Sequence, residues 1–377
     1  MEVVNPDYQE LYGRQMRLPG VGEDGQRALG AARVMLVGAG GLGSPVALYL
    51  AAAGVGTLGI ADPDRVELSN LHRQIVHTFD TLGLPKTVSA AETLGALNPA
   101  LHVALHPEGL VPSNAAELVR RYDVVVDGAD NFATRYLAGD ATVLASRPLV
   151  HGSVLQGAGQ VATFLSGQGC YRCVYPETPD PASVPTCGEA GVMGATCGVV
   201  GSWMASEVLA VILGQRRTSR LTLLDLGEGS ARTLGVRRDD ACPVCGVSPR
   251  IRDIDPARYV RSCDAPSPMT PHPLEVSVEE VARQRAANPA AVLLDVREPS
   301  ELAICQMGAT HHIPLGQLGE RWHELPADRP ILVHCHHGGR SLRATHFLRS
   351  KGLSAVSNVQ GGIEAWSCQI DPSVPRY

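Results

Sequence analysis

The chain has 377 residues, 44 % of them hydrophobic but only 4 % aromatic, with 40 glycines and a net charge of -6 at pH 7. That length exceeds one ordinary domain of ~100–200 residues, and the composition suits an Ala/Val/Leu-rich α/β protein with many tight turns. The acidic balance argues against nucleic acid or an anionic membrane as partner, and the start, MEVVNPDYQELYGRQ, lacks the basic-then-apolar pattern of a secretory signal. The longest apolar stretch, Pro45 to Ala61, is interrupted by Gly54, Gly56 and Gly59; it reads as a crossover helix running into a buried strand rather than a membrane span. A cytoplasmic protein is expected, in which ten cysteines serve as metal ligands, nucleophiles or core thiols rather than disulfides.

In chain order, RVMLVG is followed by a helix from Ser44, then come TLGIAD, LHVAL, YDVVVDG with a helix from about Asn131, PLVHGSV and VATFL. Strands alternating with helices predict a doubly wound, mainly parallel sheet over residues 1–252. An apolar helix from about Ala195 to Leu213 precedes the strand LTLLDL. Residues 253–273 hold five prolines and little periodicity, which predicts an extended linker. A second alternation fills residues 274–377: VSVEEVARQ, AVLLDVRE, HHIPL, ILVHC, a helix from Arg340, SAVSNV and GGIEAW. Two α/β domains, the second smaller, are expected.

Within VGAGGLG, Gly38, Gly40 and Gly43 take a G-x-G-x-x-G spacing, with Gly41 between them, and Asp62 ends the next strand. Glycines allow close backbone approach, a helix N-terminus offers N–H groups to phosphate, and the acid suits ribose hydroxyls. Alone, this loop does not separate ATP from NAD or FAD. Asn70, Arg73 and Gln74 in DPDRVELSNLHRQ, with Lys86 at a helix start, tip it toward a triphosphate. Asp130, with Asn131 beside it, stands just beyond a strand where a carboxylate suits magnesium. Singly, each is equally a surface charge or a helix cap.

CYRC (Cys170, Cys173) and CPVC (Cys242, Cys245) are two C-x-x-C knuckles whose four thiolates suit a closed tetrahedral zinc site. A redox pair is the rival reading, but neither knuckle has a thioredoxin-like strand-to-helix setting. Cys187 lies in SVPTCGEAGVMG, a stretch without period, where a loop thiol reaches a bound intermediate or is simply a surface cysteine. Cys197 enters the apolar helix and reads as core. Cys263, Cys305 and Cys368 have no partner to argue for.

In VHCHHGGRS a strand leads through a short loop to a helix near Arg340, so loop N–H groups and a guanidinium are expected to converge on Cys335. Four residues separate Cys335 from Arg340, where cysteine phosphatases have five; the narrower ring suits a persulfide sulfur rather than phosphate. Asp295 and Arg297 read as fold-supporting, and His336 and His337 as solvated loop histidines or tuners of the sulfur.

LYGRQMRLPGVGEDGQ, VGAGGLGSP, DPDRVELSNLHRQ, GLPK and DGADNFATRY resemble the ubiquitin-activating-enzyme-like adenylyltransferases of molybdopterin and thiamine biosynthesis, the MoeB/ThiF type, over roughly residues 1 to 250. LLDVRE, HIPL, VHCHHGGRS and NVQGGIEAW are similar to a rhodanese domain. The resemblance implies ATP-dependent adenylation of the C-terminal Gly-Gly of a ubiquitin-like sulfur carrier protein. Asp62 would hold the ribose, Arg73 and Lys86 the phosphates and Asp130 magnesium, while Arg14 would reach a neighbouring subunit's nucleotide, which implies a homodimer. The resemblance also supports zinc as a structural ion and a conjugating role for Cys187. A persulfide on Cys335, loaded by a cysteine desulfurase or thiosulfate, would then supply sulfur for a carrier thiocarboxylate. The rival expectations are an NAD-dependent oxidoreductase and a non-catalytic scaffold that binds a ubiquitin-like partner.

Overall fold

The computed structural model describes residues 6–179, 191–259, 274–288 and 291–375. Cys187, Cys263 and residues 260–273 of the expected linker lie outside them. The chain divides into two compact units, each with its own cores.

The first unit is built on eight strands: β1 (Arg33–Val37), β2 (Thr57–Ala61), β3 (His102–His106), β4 (Val124–Asp127), β5 (Leu149–Leu155), β6 (Ala158–Phe164), β7 (Arg220–Asp225) and β8 (Ser230–Gly235). They hydrogen-bond in the order β3-β2-β1-β4-β5-β6-β7-β8. The first five are parallel, and β6, β7 and β8 are added antiparallel. From Val34 to Val37 β1 is apolar because both its faces are covered there. Val34 and Leu36 join one core with the helices Gly43–Ala52 and Gly194–Ile212, while Met35 and Val37 join another with the helices Pro112–Arg120 and Phe132–Leu144. The helix Gly194–Ile212 is long and apolar enough to cross a membrane, yet its Val200, Met204, Ala205 and Val208 are buried in the first of these cores.

With β6, β7 and β8 antiparallel the sheet is still mainly parallel, as expected, while the start of the expected linker packs as part of the first unit. Residues 253–259 stay with the first unit: Tyr259 is buried and its hydroxyl donates to Asp140 Oδ2 at 2.8 Å.

The second unit has five parallel strands, β9 (Glu275–Val276), β10 (Val292–Asp295), β11 (His311–His312), β12 (Ile331–His334) and β13 (Val356–Val359), in the order β11-β10-β12-β13-β9. Val292 and Leu294 face one core and Leu293 the other, the period of two expected of a sheet covered on both sides.

Candidate functional site

β2, β1 and β4 end side by side, and the chain leaves β1 toward β2 and β3 on one side before returning as β4 on the other. This is the switch point at which open α/β sheets form a ligand crevice. The turn from β1 into the helix Gly43–Ala52 needs glycine at its end, because a Cβ on Gly43 would collide with the Gly38 carbonyl. Asp62 braces the turn: the Ala39 N–H donates to its Oδ2 at 2.7 Å and the Asp64 N–H to its Oδ1 at 2.9 Å. The carboxylate expected for ribose is thus buried, and burial pushes its carboxyl up against the pull of Lys86. Each oxygen keeps a second lone pair for a ligand hydroxyl.

The other expected residues gather round this turn unevenly. A Cβ on Gly40 would lie 3.7 Å from Gln74 Nε2, and one on Gly41 would lie 3.5 Å from Arg73 Cγ and 3.0 Å from Cys197 Sγ. Cys197 is buried core, as its helix predicts, but it lies directly beneath the glycine turn. Arg73 Nη1 donates to the Ser69 carbonyl at 2.9 Å, and Lys86 Nζ pairs with Asp64 at 2.8 Å. Asn70 and Asn131 have local duties: Asn70 Oδ1 accepts the Glu67 N–H at 3.2 Å, and Asn131 caps the helix Phe132–Leu144 by accepting the Thr134 N–H at 2.9 Å. Asp130 is exposed beyond β4, and no described residue pairs with its carboxylate. A hard oxygen donor in that position fits a divalent cation shared with phosphates. Arg14 is exposed on the helix Pro6–Met16, and no described contact joins it to the crevice of its own chain.

The four knuckle cysteines meet. Their sulfurs all lie within 4.8 Å of one another, with Cys170 Sγ 3.7 Å from Cys173 and 3.6 Å from Cys242, and Cys173 Sγ 3.3 Å from Cys245. A tetrahedral zinc with ~2.3 Å bonds to sulfur has sulfur–sulfur edges of ~3.8 Å, so the cluster is sized for one ion and no pair is at disulfide distance. Burial first, and neighbouring thiols second, push the Cys170 thiol up; burial likewise carries Cys245 to about 12. A bound cation would offset that cost for Cys170 and Cys245 by favouring their thiolates.

In the second unit Cys335 follows β12 and is fully buried. Its Sγ accepts the Gly338 N–H at 3.2 Å and the Ser341 hydroxyl at 3.4 Å. Gly338 has φ +97°, the left-handed conformation that turns its N–H back onto the sulfur. Arg340 departs from expectation: its guanidinium forks onto Glu301, 2.7 Å from each carboxylate oxygen. Glu301 sits on the one-turn helix Pro299–Leu302 and also accepts the Glu298 N–H. Sequence reasoning missed Glu301; an acid four residues after Arg297 was its faint signal. Asp295 and Arg297 are a buried ion pair with a 2.7 Å contact, as expected of fold-supporting groups.

His336 is not a solvated loop histidine: it is buried, stacked on the exposed His337 at 3.9 Å, with Nε2 3.7 Å from Glu364 Oε2. Burial holds both His334 and His336 down to about 4. A histidine depressed in this way favours the folded state fully above its unfolded pKa and loses that contribution as pH falls toward 4. Urea unfolding of the second unit is therefore expected to lose on the order of 2 kcal/mol per histidine between pH 7 and pH 5. Glu301→Ala, which removes the carboxylate that takes both Nη groups of the largely buried Arg340 guanidinium, is expected to cost the same unit about 3 kcal/mol in the same assay at pH 7.5.

Residues 12–244 match the ThiF family and residues 277–369 the rhodanese-like domain. The chain is 40 % identical, over 97 % of its length and 94 % of the relative's, to a "probable adenylyltransferase/sulfurtransferase MoeZ" of Mycobacterium tuberculosis. It is 51 % identical, over 65 % of its length and 93 % of the relative's, to the sulfur carrier protein adenylyltransferase of Thermus thermophilus. Among solved structures, E. coli MccB with MccA-N7isoASN shares the fold with a TM-score of 0.57 at 21 % identity, covering 64 % of this chain and 76 % of that one. A glycine turn at a sheet switch point and a cysteine cradle in a second parallel sheet thus have their counterparts in known proteins: the chain belongs to the ThiF family and carries a rhodanese-like domain after it.

Proposed function

We propose that this protein adenylates the C-terminal Gly-Gly of a ubiquitin-like sulfur carrier protein with ATP and then delivers sulfur from a Cys335 persulfide, giving the carrier thiocarboxylate. The observation that carries this reading is the presence in one chain of a phosphate-type glycine turn with an exposed carboxylate, Asp130, beside it, and of a buried thiol held by an N–H and a hydroxyl. The names of the full-length relatives agree with it, and they give no support to an NAD oxidoreductase or a scaffold.

In this reading the backbone of Gly38, Gly40, Gly41 and Gly43, with Asn70 and Gln74 behind it, seats the nucleotide; Asp62 meets the ribose, and Arg73 and Lys86 the phosphates. Asp130, beside Asn131, would hold magnesium, which supplies charge neutralisation on the phosphates. The carrier carboxylate attacks the α-phosphorus, pyrophosphate leaves, and the acyl-adenylate is the activated electrophile. The terminal sulfur of Cys335 persulfide then attacks the acyl carbon and displaces AMP, leaving an acyl disulfide. A second thiol, for which Cys187 is the candidate, attacks the Cys335 sulfur, releases the thiocarboxylate and leaves a disulfide that an external dithiol must reduce. Alternatively Cys187 first takes the acyl group as a thioester. Tethering both sites on one chain raises their effective concentration.

A structural zinc would sit among Cys170, Cys173, Cys242 and Cys245. A homodimer, with Arg14 completing the partner's nucleotide site, is supported by the exposed apolar side chains of Leu11, Tyr49, Ile75 and Phe79. A cytoplasmic setting is supported by the eight described cysteines, all free thiols. The domain bounds we adopt are 1–252 and 274–377, with the first fold reaching into the connector as far as Tyr259. A cysteine desulfurase or thiosulfate loads Cys335, and molybdopterin or thiamine synthesis consumes the thiocarboxylate.

The test is incubation with ATP, magnesium, a persulfide or thiosulfate donor and candidate Gly-Gly carriers, followed by intact-mass spectrometry. One oxygen exchanged for one sulfur on a carrier supports the reading. No nucleotide consumption with any carrier overturns it.

A further inference from the structure

Asp127 and His151 are fully buried neighbours on β4 and β5, paired in register. Asp127 Oδ1 accepts the Ala129 N–H at 3.0 Å, and its Oδ2 faces His151 Nδ1 at 2.8 Å. The Ala129 carbonyl in turn accepts Arg135 Nε at 3.0 Å. The turn that ends β4 is therefore held at both groups of one residue, and the next residue is Asp130. His151 is itself wedged in place: the ring of Tyr171, the residue after Cys170, meets it edge-on with centroids 5.0 Å apart.

Burial keeps the His151 ring neutral, so the proton belongs on Nδ1, toward the carboxylate. Nε2 is then a buried nitrogen without a partner among the described residues. Such an atom costs on the order of 1–3 kcal/mol, a cost an apolar side chain on β5 would avoid. Stability alone does not account for a histidine here. What the ring supplies is one donor at one place, which stops the Asp127 carboxylate from rotating away from Ala129.

We propose that His151 is a positioning residue for the nucleotide step: through Asp127 it fixes the Ala129 turn and so the direction in which Asp130 leaves the sheet. The inference rests on the adenylation reading, in which Asp130 meets a divalent ion shared with the phosphates. Displacing the support of a metal-binding carboxylate typically weakens binding by ~10–100-fold.

The test compares the full-length protein with His151→Asn, which keeps a donor where Nδ1 stands, His151→Gln, which carries it one bond too far, and His151→Leu, which removes it. ATP binding is measured by calorimetry with magnesium and again with EDTA, and Mn²⁺ binding in the presence of ATP by electron paramagnetic resonance. We expect His151→Asn to bind magnesium-ATP within ~3-fold of wild type, and His151→Gln and His151→Leu to be weakened ~10-fold or more, with all four proteins alike in EDTA. The Asn and Gln comparison stands even where the leucine variant does not fold. The inference is overturned by His151→Gln binding magnesium-ATP as wild type does, by His151→Asn failing as badly as His151→Gln, or by losses equal with and without magnesium, which would mark a packing role. Wild-type protein that binds no ATP at all overturns the adenylation reading beneath it instead.

Discussion

Cys335→Ser is expected to abolish thiocarboxylate formation, by more than ~10³-fold, while leaving carrier-dependent ATP/pyrophosphate exchange within ~2-fold of wild type. The serine hydroxyl fits the same cradle and still accepts from Gly338, whose N–H lies 3.2 Å from the sulfur, so the loop keeps its shape. Oxygen forms no persulfide, so no sulfur can be carried. Exchange survives because the glycine turn, Asp62 and Asp130 belong to a unit with a separate sheet and separate cores. The measurement is paired: radiolabelled pyrophosphate exchange for the first half-reaction and intact carrier mass for the second. A variant that still sulfurates the carrier removes Cys335 from the mechanism; one that also loses exchange means the two half-reactions are not separable as drawn.

The parts of this site that were legible in the sequence are those whose geometry is local. The run Val34–Val37 announced a strand buried on both faces because each residue needs apolar cover, and the glycine spacing announced the turn because a Cβ at Gly43 has nowhere to go. Each C-x-x-C knuckle was visible as a pair for the same reason. That the two pairs share one site depends on the antiparallel strands β6, β7 and β8 returning the chain across the sheet, and residue spacing carries little of that. His151 and Glu301 were invisible because their partners are chosen by strand order and by where a one-turn helix lands, 24 and 39 residues away in sequence. His336 misled because a polar residue in a Gly-rich loop suggests solvent, whereas its ring is covered within the fold beside Glu364. The position of Arg340 in sequence points it at the sulfur, whereas the carboxylate that takes both its Nη groups comes from a different segment.

Removing the zinc proposed for the cysteine cluster is expected to destabilise the first unit far more than any surface change. Three sulfur pairs at 3.3–3.7 Å place four ionisable thiols, two of them buried, in a volume that fits one tetrahedral dication. The knuckle between Cys170 and Cys173 also carries Arg172, whose Nε and Nη2 fork onto buried Asp140 at 2.7 and 2.8 Å, and Tyr259 closes onto the same carboxylate. Losing a zinc there would therefore loosen the anchor of the helix Phe132–Leu144, whose N-cap is Asn131, and of Tyr259 in the first stretch of the connector. Cys242→Ser, or prolonged dialysis against a strong chelator, is expected to remove one zinc per chain by elemental analysis and to cost more than ~3 kcal/mol in the first unit's unfolding, with the second unit's transition unmoved. Wild-type protein with no bound metal and an unchanged melting profile in chelator would make the cluster a set of packed thiols. Metal loss without loss of stability would mean that Arg172 and Asp140 hold the knuckle without it.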